Sequence, residues 1–193
     1  MYASVDKMLE ELNELTTKAM LFGMALKNLE HYQLKCRPEP TVWNIYECLE
    51  HLNLYGDHYL KEIEKELNNS KRSANNVNFE GSILGNYFVK IIRPVEGNIK
   101  KMKTAKTMNP VGADLGLETV DRFIDQQQKL LKLLDRSRFY DLKRIRIRTT
   151  LSRFLSLNLG DTLRFVVYHN ERHLIQAGEL LRNVEKSVEL SVA

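Results

Sequence analysis

Two histidines lie four residues apart in the stretch YHNERHLIQA, residues 168–177 near the C-terminus. On a helix, residues four apart share a face, with about 6 Å between their β-carbons, so His169 and His173 can reach one metal ion. The chain has five histidines in 193 residues, which would give such a spacing by chance roughly one time in ten. The spacing alone therefore favours a simpler interpretation: two polar residues at the edge of the core, each hydrogen-bonded to a neighbour.

Two further features favour a metal site. The two histidines fall in line with the apolar residues Val166 and Ala177, so they should face the interior of a helical bundle, where two imidazoles without partners would cost a few kcal/mol. A third histidine, His51, lies within an earlier helical stretch, on the side of the apolar Leu52. Facing helices of a bundle are where metal sites are built, and three imidazoles with an open position are typical of a catalytic zinc-type site.

Apolar residues recur at three- and four-residue steps in four long stretches, which predicts four long amphipathic helices. We expect them over residues 5–29, 41–67, 120–134 and 158–184. Thr41 and Asn158 are the predicted N-caps of the second and fourth helices, and two prolines, Pro38 and Pro40, end the first. The predicted fold class is all-α: a four-helix bundle of antiparallel helices with one long crossover connection, forming one domain over residues 1–193.

Two connections have features of their own. The one between the second and third helices is predicted to contain a short helix from Ser82 to just before Pro94, and then an ordered loop, residues 97–116, that lies across the bundle. The segment LKRIRIRTTL, residues 142–151, alternates isoleucines with arginines, a period of two that is typical of extended backbone. Since one isolated strand cannot form a sheet, we expect this segment to be a strap packed on the bundle.

Composition limits the compartment and the function class. The chain is 43% hydrophobic and 28% charged, which suits a domain with a sizeable core. No apolar run approaches the roughly 20 residues that span a bilayer, and the N-terminus does not resemble a signal peptide, so no membrane contact and a cytoplasmic location are predicted. The two cysteines, Cys36 and Cys48, are then expected to be free. Serine-hydrolase motifs, phosphate-binding glycine loops and dinucleotide fingerprints are absent.

Two further sequence features concern possible partners. The net charge is +4, and the run KRIRIRTTLSR, residues 143–153, holds five basic residues and no acidic ones. Because it matches no recognisable DNA-binding motif, we expect a solvated strap or an anion contact and no nucleic-acid partner. The first helix carries more apolar residues than one bundle face needs: Met8, Met20, Phe22 and Met24. This surplus predicts a homodimer, unless the long middle loop covers it.

The stretches TVWNIYECLEHLNLYGDHYL (residues 41–60) and LNLGDTLRFVVYHNERHLIQA (residues 157–177) resemble the DinB-like superfamily of metal-binding four-helix bundles. Its members pair a tryptophan-containing helix that ends in a metal-binding histidine with a later His-x-x-Arg-His-x-x-Gln stretch. This sequence supplies each part of that pattern: Trp43, His51, His169, Arg172, His173 and Gln176. The similarity extends over nearly the whole chain and includes the middle loop KMKTAKTMNP, residues 101–110.

The resemblance implies a divalent metal held by His51, His169 and His173. Nickel, zinc, iron or manganese would suit, since three imidazoles do not choose strongly among them. In characterised relatives such a metal binds and activates a low-molecular-weight thiol, bacillithiol or mycothiol, for transfer or isomerisation. The resemblance thus implies a metal-dependent thiol S-transferase or hydrolase-like enzyme acting on small electrophiles. The alternative is a stress-associated metal-binding or interaction protein without turnover.

Further side chains are candidates for the same site. Glu47 lies one turn before His51 and can orient a ligand or accept a proton as a catalytic base, although a solvated glutamate is the alternative. His58 lies two turns after His51, where it can contact the cofactor or substrate, or simply lie on the helix surface. Gln176, one turn beyond the second histidine of the later pair, can bond a metal ligand or the substrate. Arg172 is expected beside the metal face, paired with an acidic neighbour.

Overall fold

Four long helices dominate the computed structural model, which describes residues 4–73, 77–94, 103–150, 152 and 154–192, the last eight as backbone only. In chain order the helices are α1 (Val5–Leu26), α2 (His31–Lys35), α3 (Ile45–Asn69), α4 (Ile83–Ile92), α5 (Leu117–Ser137) and α6 (Leu159–Val192), with a 3₁₀ turn at Lys106–Met108. The bundle consists of α1, α3, α5 and α6, which match the four predicted helices, although α1 ends three residues earlier and α6 eight residues later than expected. The all-α fold class is confirmed, and the described residues contain only one short two-stranded sheet.

The directions of the helices follow from how the core is divided. One apolar cluster combines the first half of α1 with the end of α3, for example Met8 with Ile63, and also holds the end of α5 and the start of α6. A second cluster combines the opposite ends of the same four helices, for example Leu26 with Leu49. Therefore α1 and α6 run one way, and α3 and α5 run the other way.

The prediction of antiparallel neighbours is wrong for two of the four helix contacts. Both α5 and α6 pack against α1 and α3, so the directions above make α3–α5 and α1–α6 parallel pairs. Two consecutive long helices that are parallel need a connection that returns along the length of the bundle. The segment between α3 and α5, which contains α4, supplies it, and the predicted long crossover is confirmed.

Side-chain caps set where two of the long helices begin. The Asn44 side chain accepts a hydrogen bond from the Glu47 amide at 2.9 Å, and the Glu47 carboxylate accepts one from the Asn44 amide at 3.0 Å. This reciprocal capping box starts α3 and replaces the predicted N-cap Thr41, which lies in the preceding turn. Asn158 caps α6 as predicted, because its side chain accepts a hydrogen bond from the Asp161 amide at 2.7 Å.

The arginine-rich segment has a strand partner that the sequence did not reveal. Strand β1 (Arg146–Arg148) pairs antiparallel with β2 (Ser156–Asn158), in a register that places Ile147 opposite Leu157. The prediction of an isolated strap is therefore wrong, because the segment is one arm of a β-hairpin. Ile147 is buried while both arginines of β1 are exposed, as the period-two pattern predicts. β1 packs against α3 and α6.

The short helix α4 begins after Ser82 and ends before Pro94, as predicted. The Ser82 side chain caps it, and the same hydroxyl donates to the Asp161 carboxylate of α6 at 2.7 Å. The Asp161 side chain is fully buried, so this contact fixes the start of α4 against the start of α6.

The described part of the middle loop, residues 103–116, lies against α3, as expected for a loop across the bundle. Its 3₁₀ turn brings the Met108 carbonyl to His51 of that helix. The remaining residues of the predicted loop, 97–102, lie outside the described part of the chain.

The two cysteines are free, with Cys36 exposed and Cys48 buried. Burial, and secondarily the Glu47 carboxylate, raises the pKa of the Cys48 thiol to about 12. The thiol is therefore neutral at physiological pH and serves as a small apolar core group. None of the helices in the described ranges combines the length and the apolar character that crossing a membrane requires.

Candidate metal centre

Three histidines meet between α3 and α6. One ring nitrogen from each of His51, His169 and His173 lies within 4.8 Å of the other two, and all three side chains are buried. The later two are one turn apart on α6, and the antiparallel packing of α3 brings His51 opposite them. The structure thus brings together the three residues that the sequence singled out as ligands.

The spacing of the nitrogens fits a single ion. The Nε2 atoms of His51 and His169 are 3.2 Å apart. Two imidazole nitrogens that each bind one zinc ion at about 2.05 Å in tetrahedral geometry are separated by about 3.3 Å. The ring of His51 also lies with its centroid 4.6 Å from that of His173, so the third nitrogen is within reach of the same point.

Hydrogen bonds at the far side of two rings orient these nitrogens. His51 donates Nδ1–H to the Met108 carbonyl at 2.7 Å, and His173 donates Nδ1–H to the Gln176 side-chain oxygen at 3.0 Å. Each acceptor favours the tautomer in which Nε2 carries a lone pair, as a metal ligand requires. The donor set therefore fits a divalent cation.

Burial keeps all three imidazoles neutral. It lowers the pKa of His51, lowers that of His173 to about 3, and lowers that of His169 well below its ordinary value. The neighbouring imidazoles and the positive charge of Arg172 act in the same direction on His169. Arg172 itself is buried beside the site. Neutral imidazoles bind metal without first releasing a proton.

The sequence profile of the DinB superfamily matches residues 14–177 of this chain. The chain belongs to the DinB superfamily. The matched range begins within α1 and includes the three clustered histidines and Gln176, so the resemblance inferred from the sequence motifs is confirmed. Neither a search of curated proteins nor a search of solved structures finds a significant match.

Aromatic rings surround the histidines of this DinB-superfamily protein. The ring centroid of Trp43 lies 4.9 Å from that of His51, and the ring of Tyr55 lies 4.4 Å from that of His169. Phe165 stacks on His169 at 5.7 Å. Tyr55 and Phe165 are not among the site residues predicted from the sequence, although each lies four residues from a candidate ligand on the same helix. Screening the helical neighbours of the histidines for aromatic residues would have found both.

Two predicted site residues of the DinB-superfamily protein have other partners. The buried Glu47 carboxylate pairs with the Arg37 guanidinium and caps α3 through the Asn44 amide. His58 lies against the β-hairpin, with its Nε2 atom 2.9 Å from the Arg148 carbonyl. The structure thus places Glu47 in a capping and ion-pairing role and His58 beside the hairpin, whereas Gln176 contacts a candidate ligand.

Replacing Gln176 with leucine should weaken metal binding by about 10- to 100-fold, because His173 would lose the acceptor that orients it. The fold should be preserved, since Gln176 is only half-buried. Competition with a fluorescent zinc chelator measures the affinity. Gln128→Leu, on the exposed face of α5, is the matched control, and equal affinities in the two variants would contradict the orienting role.

The metal-free DinB-superfamily protein should lose stability on mild acidification. In the unfolded chain the pKa of His173 is near 6.5, whereas burial in the folded protein lowers it to about 3. Below pH 6.5 the unfolded state therefore binds a proton that the folded state does not, and the free energy of unfolding falls. From His173 alone the loss is about 1.4 kcal/mol per pH unit, or about 2 kcal/mol between pH 6.5 and pH 5.

Urea unfolding of the metal-free protein at pH 7 and pH 5 measures this loss. In His173→Gln the side chain cannot titrate, so the decrease in unfolding free energy should be smaller than in the wild type by about 2 kcal/mol. Identical decreases in the two proteins would show that His173 is not held neutral by the fold.

Proposed function

We propose that the protein is a metal-dependent enzyme that transfers a low-molecular-weight thiol to small electrophiles, or a related hydrolase-like enzyme. The observation that carries the proposal is the convergence of three neutral, buried imidazole nitrogens within 4.8 Å. Three protein ligands leave a coordination position open, which distinguishes catalytic from structural zinc-type sites. When bound, a divalent ion of nickel, zinc, iron or manganese supplies a Lewis acid that lowers the pKa of a bound thiol or water.

The protein's own residues would hold and enclose this site. The Met108 carbonyl and Gln176 fix the orientation of two of the three histidines. The rings of Trp43, Tyr55 and Phe165 pack around the imidazoles and limit the access of water, which strengthens electrostatic interactions inside. Tyr55 is half-buried, so its side of the cluster is where a substrate would approach.

Incubation of the metal-loaded protein with a panel of thiols and electrophiles tests the proposal. The panel would combine cysteine, glutathione, bacillithiol and mycothiol with alkyl halides, epoxides and unsaturated carbonyl compounds, and mass spectrometry would detect the thioether products. Product formation should exceed that with free metal and should disappear in His169→Ala. Equal rates for the wild type and His169→Ala would overturn the assignment of the site.

A second candidate function is metal binding without turnover. It is favoured by the engagement of Glu47 with Arg37, because Glu47 was the one candidate base and its carboxylate is already paired. Under this alternative the protein retains its metal while no combination in the panel reacts. The same experiment therefore separates the two candidates.

We further propose that the protein forms a homodimer through the outer face of α1 and that it acts in the cytoplasm. Leu21 and Met24 on that face are 55% and 39% exposed, whereas Met8, part of the predicted apolar surplus, lies in the core. Light scattering after size exclusion should give twice the chain mass of 22.5 kDa. Leu21→Asp should then yield the monomer mass, and a monomeric wild type would refute the dimer.

A further inference from the structure

Three exposed arginines form a row along β1 and the turn that precedes it. Arg146 and Arg148 flank the buried Ile147 of the strand, and Arg144 lies in the preceding turn. The Arg144 side chain is 89% exposed. Because side chains on one face of a strand repeat every two residues, those of Arg146 and Arg148 are about 6.6 Å apart. This distance is close to the separation of successive phosphates along an extended single strand of nucleic acid.

Along the chain, little negative charge lies beside this row. Residues 143–160 contain five basic side chains and no acidic one. The ion pair between Arg144 and Asp141, at 3.4 Å, is a surface contact of the kind that contributes little. The row therefore presents a positive edge to an incoming anion.

One arginine of the row is already held in place. The Arg146 guanidinium donates to the Ser156 hydroxyl at 3.3 Å and to the Ser156 carbonyl at 2.7 Å, across the strand pair. A guanidinium that is fixed before binding loses less conformational freedom, and its planar fork suits phosphate oxygens.

An exposed aromatic ring lies at the end of the same hairpin. Phe154, in the turn that joins β1 to β2, is 88% exposed. Its amide donates to the Ser152 hydroxyl at 3.2 Å, and the Thr149 amide donates to the Leu155 carbonyl at 3.0 Å. These bonds continue the strand pairing into the turn and hold the backbone of Phe154 in place. In proteins that bind single strands, rings beside basic side chains are platforms on which bases stack.

The hairpin is anchored to the bundle, so the surface exists before a ligand binds. His58 of α3 contacts the Arg148 carbonyl, and the Tyr59 hydroxyl of the same helix accepts a hydrogen bond from the Thr150 amide at 3.3 Å. This anchoring gives His58 a structural role beside the row. A preformed surface avoids the cost of ordering a loop on binding.

We infer that this hairpin face binds single-stranded nucleic acid, with Arg146 and Arg148 on successive phosphates, Arg144 on a neighbouring phosphate and Phe154 against a base. The sequence-based expectation of no nucleic-acid partner rested on the lack of a recognisable motif, and binding to the phosphate backbone needs none. An anionic membrane fits less well, because one ring offers little apolar area to insert and stable attachment takes two signals. The inference does not depend on the metal centre.

Fluorescence anisotropy of labelled oligo-dT and oligo-U, about 15 nucleotides long, tests the inference with the full chain. Three phosphate contacts predict that affinity falls about 20-fold between 50 and 200 mM salt, and one contact predicts about threefold. The double variant Arg146→Gln with Arg148→Gln should therefore lose only about threefold in affinity over this salt range. At 50 mM salt it should bind at least about tenfold more weakly than the wild type. Phe154→Ser should weaken binding by about fivefold or more.

The matched control is Lys7→Gln combined with Lys132→Gln, which removes the same charge from exposed positions on α1 and α5. The strand β1 packs on α3 and α6 instead, so the control should bind oligonucleotide almost as the wild type does. Equal losses of oligonucleotide affinity in the two double variants would mean that net charge alone attracts the strand, which would overturn the inference. Absence of oligonucleotide binding at about 50 mM salt, or binding only to phosphatidylserine vesicles, would also overturn it.

Discussion

Replacing His169 with alanine should abolish the thermal stabilisation that a divalent metal gives to the protein. The site requires the folded arrangement of α3 and α6, so metal at about 100 times its dissociation constant adds about 2.7 kcal/mol to the free energy of unfolding. For a chain of this size that corresponds to a rise in melting temperature of roughly 5–10 °C. The His169 nitrogen lies 3.2 Å from that of His51, and without it only two imidazoles remain to hold the ion.

The melting temperature of each protein is compared with and without metal. The cavity left by the truncated side chain lowers both values, so the difference between them reports only the effect of the metal. His31→Ala is the control, because His31 contacts the Tyr46 hydroxyl at 3.0 Å and is absent from the histidine cluster. It should retain the full metal-dependent gain. A similar gain in His169→Ala would show that this histidine is not a ligand.

Replacing Asp161 with alanine should cost about 3–5 kcal/mol of folding stability, the range expected when one member of a buried charge pair is removed. The fully buried Asp161 carboxylate accepts a hydrogen bond from the Arg164 guanidinium at 3.1 Å and two from Ser82. Its removal would leave the Arg164 charge buried without this carboxylate and would detach the start of α4. Urea unfolding should show a lower midpoint with an unchanged slope.

Asp121→Ala provides the comparison for an exposed ion pair. Asp121 lies 2.6 Å from the Lys27 ammonium, with both side chains about half exposed, and such pairs contribute at most about 1 kcal/mol. Asp161→Ala should therefore lower the free energy of unfolding much more than Asp121→Ala does. Comparable losses would mean that the Asp161 contacts do not fix α4 to the bundle.

The periodicity of apolar residues predicted the helices but not their directions. A repeat of three and four residues identifies the buried face of a helix and contains no information on which neighbour that face will meet. The parallel pairing of α3 with α5 depends instead on the path of the crossover. Likewise β2, which ends at Asn158, the N-cap of α6, spans only three residues, which is too short for an alternating pattern to stand out.

Within the site, the sequence predicted the histidines and Gln176, which orients His173, but not the partner of His51. Their positions on two helices predicted that the three imidazoles lie on facing surfaces, and the packing of α3 against α6 brings them together. The acceptor for His51 is the backbone carbonyl of Met108, 57 residues away, and a carbonyl has no signature in a sequence. The pairing of Glu47 with Arg37 is equally invisible, because it depends on how the segment before α3 folds back onto the helix.

X-ray absorption spectroscopy at the zinc edge, on protein loaded with one equivalent of zinc and then desalted, tests the central claim most directly. We expect one ion per chain with three imidazole nitrogens at about 2.0–2.1 Å and no sulfur near 2.3 Å. His51→Ala, His169→Ala and His173→Ala should each fail to retain the ion. A zinc spectrum with sulfur ligands or fewer than three imidazoles, or a desalted wild type without zinc, would contradict the three-histidine site.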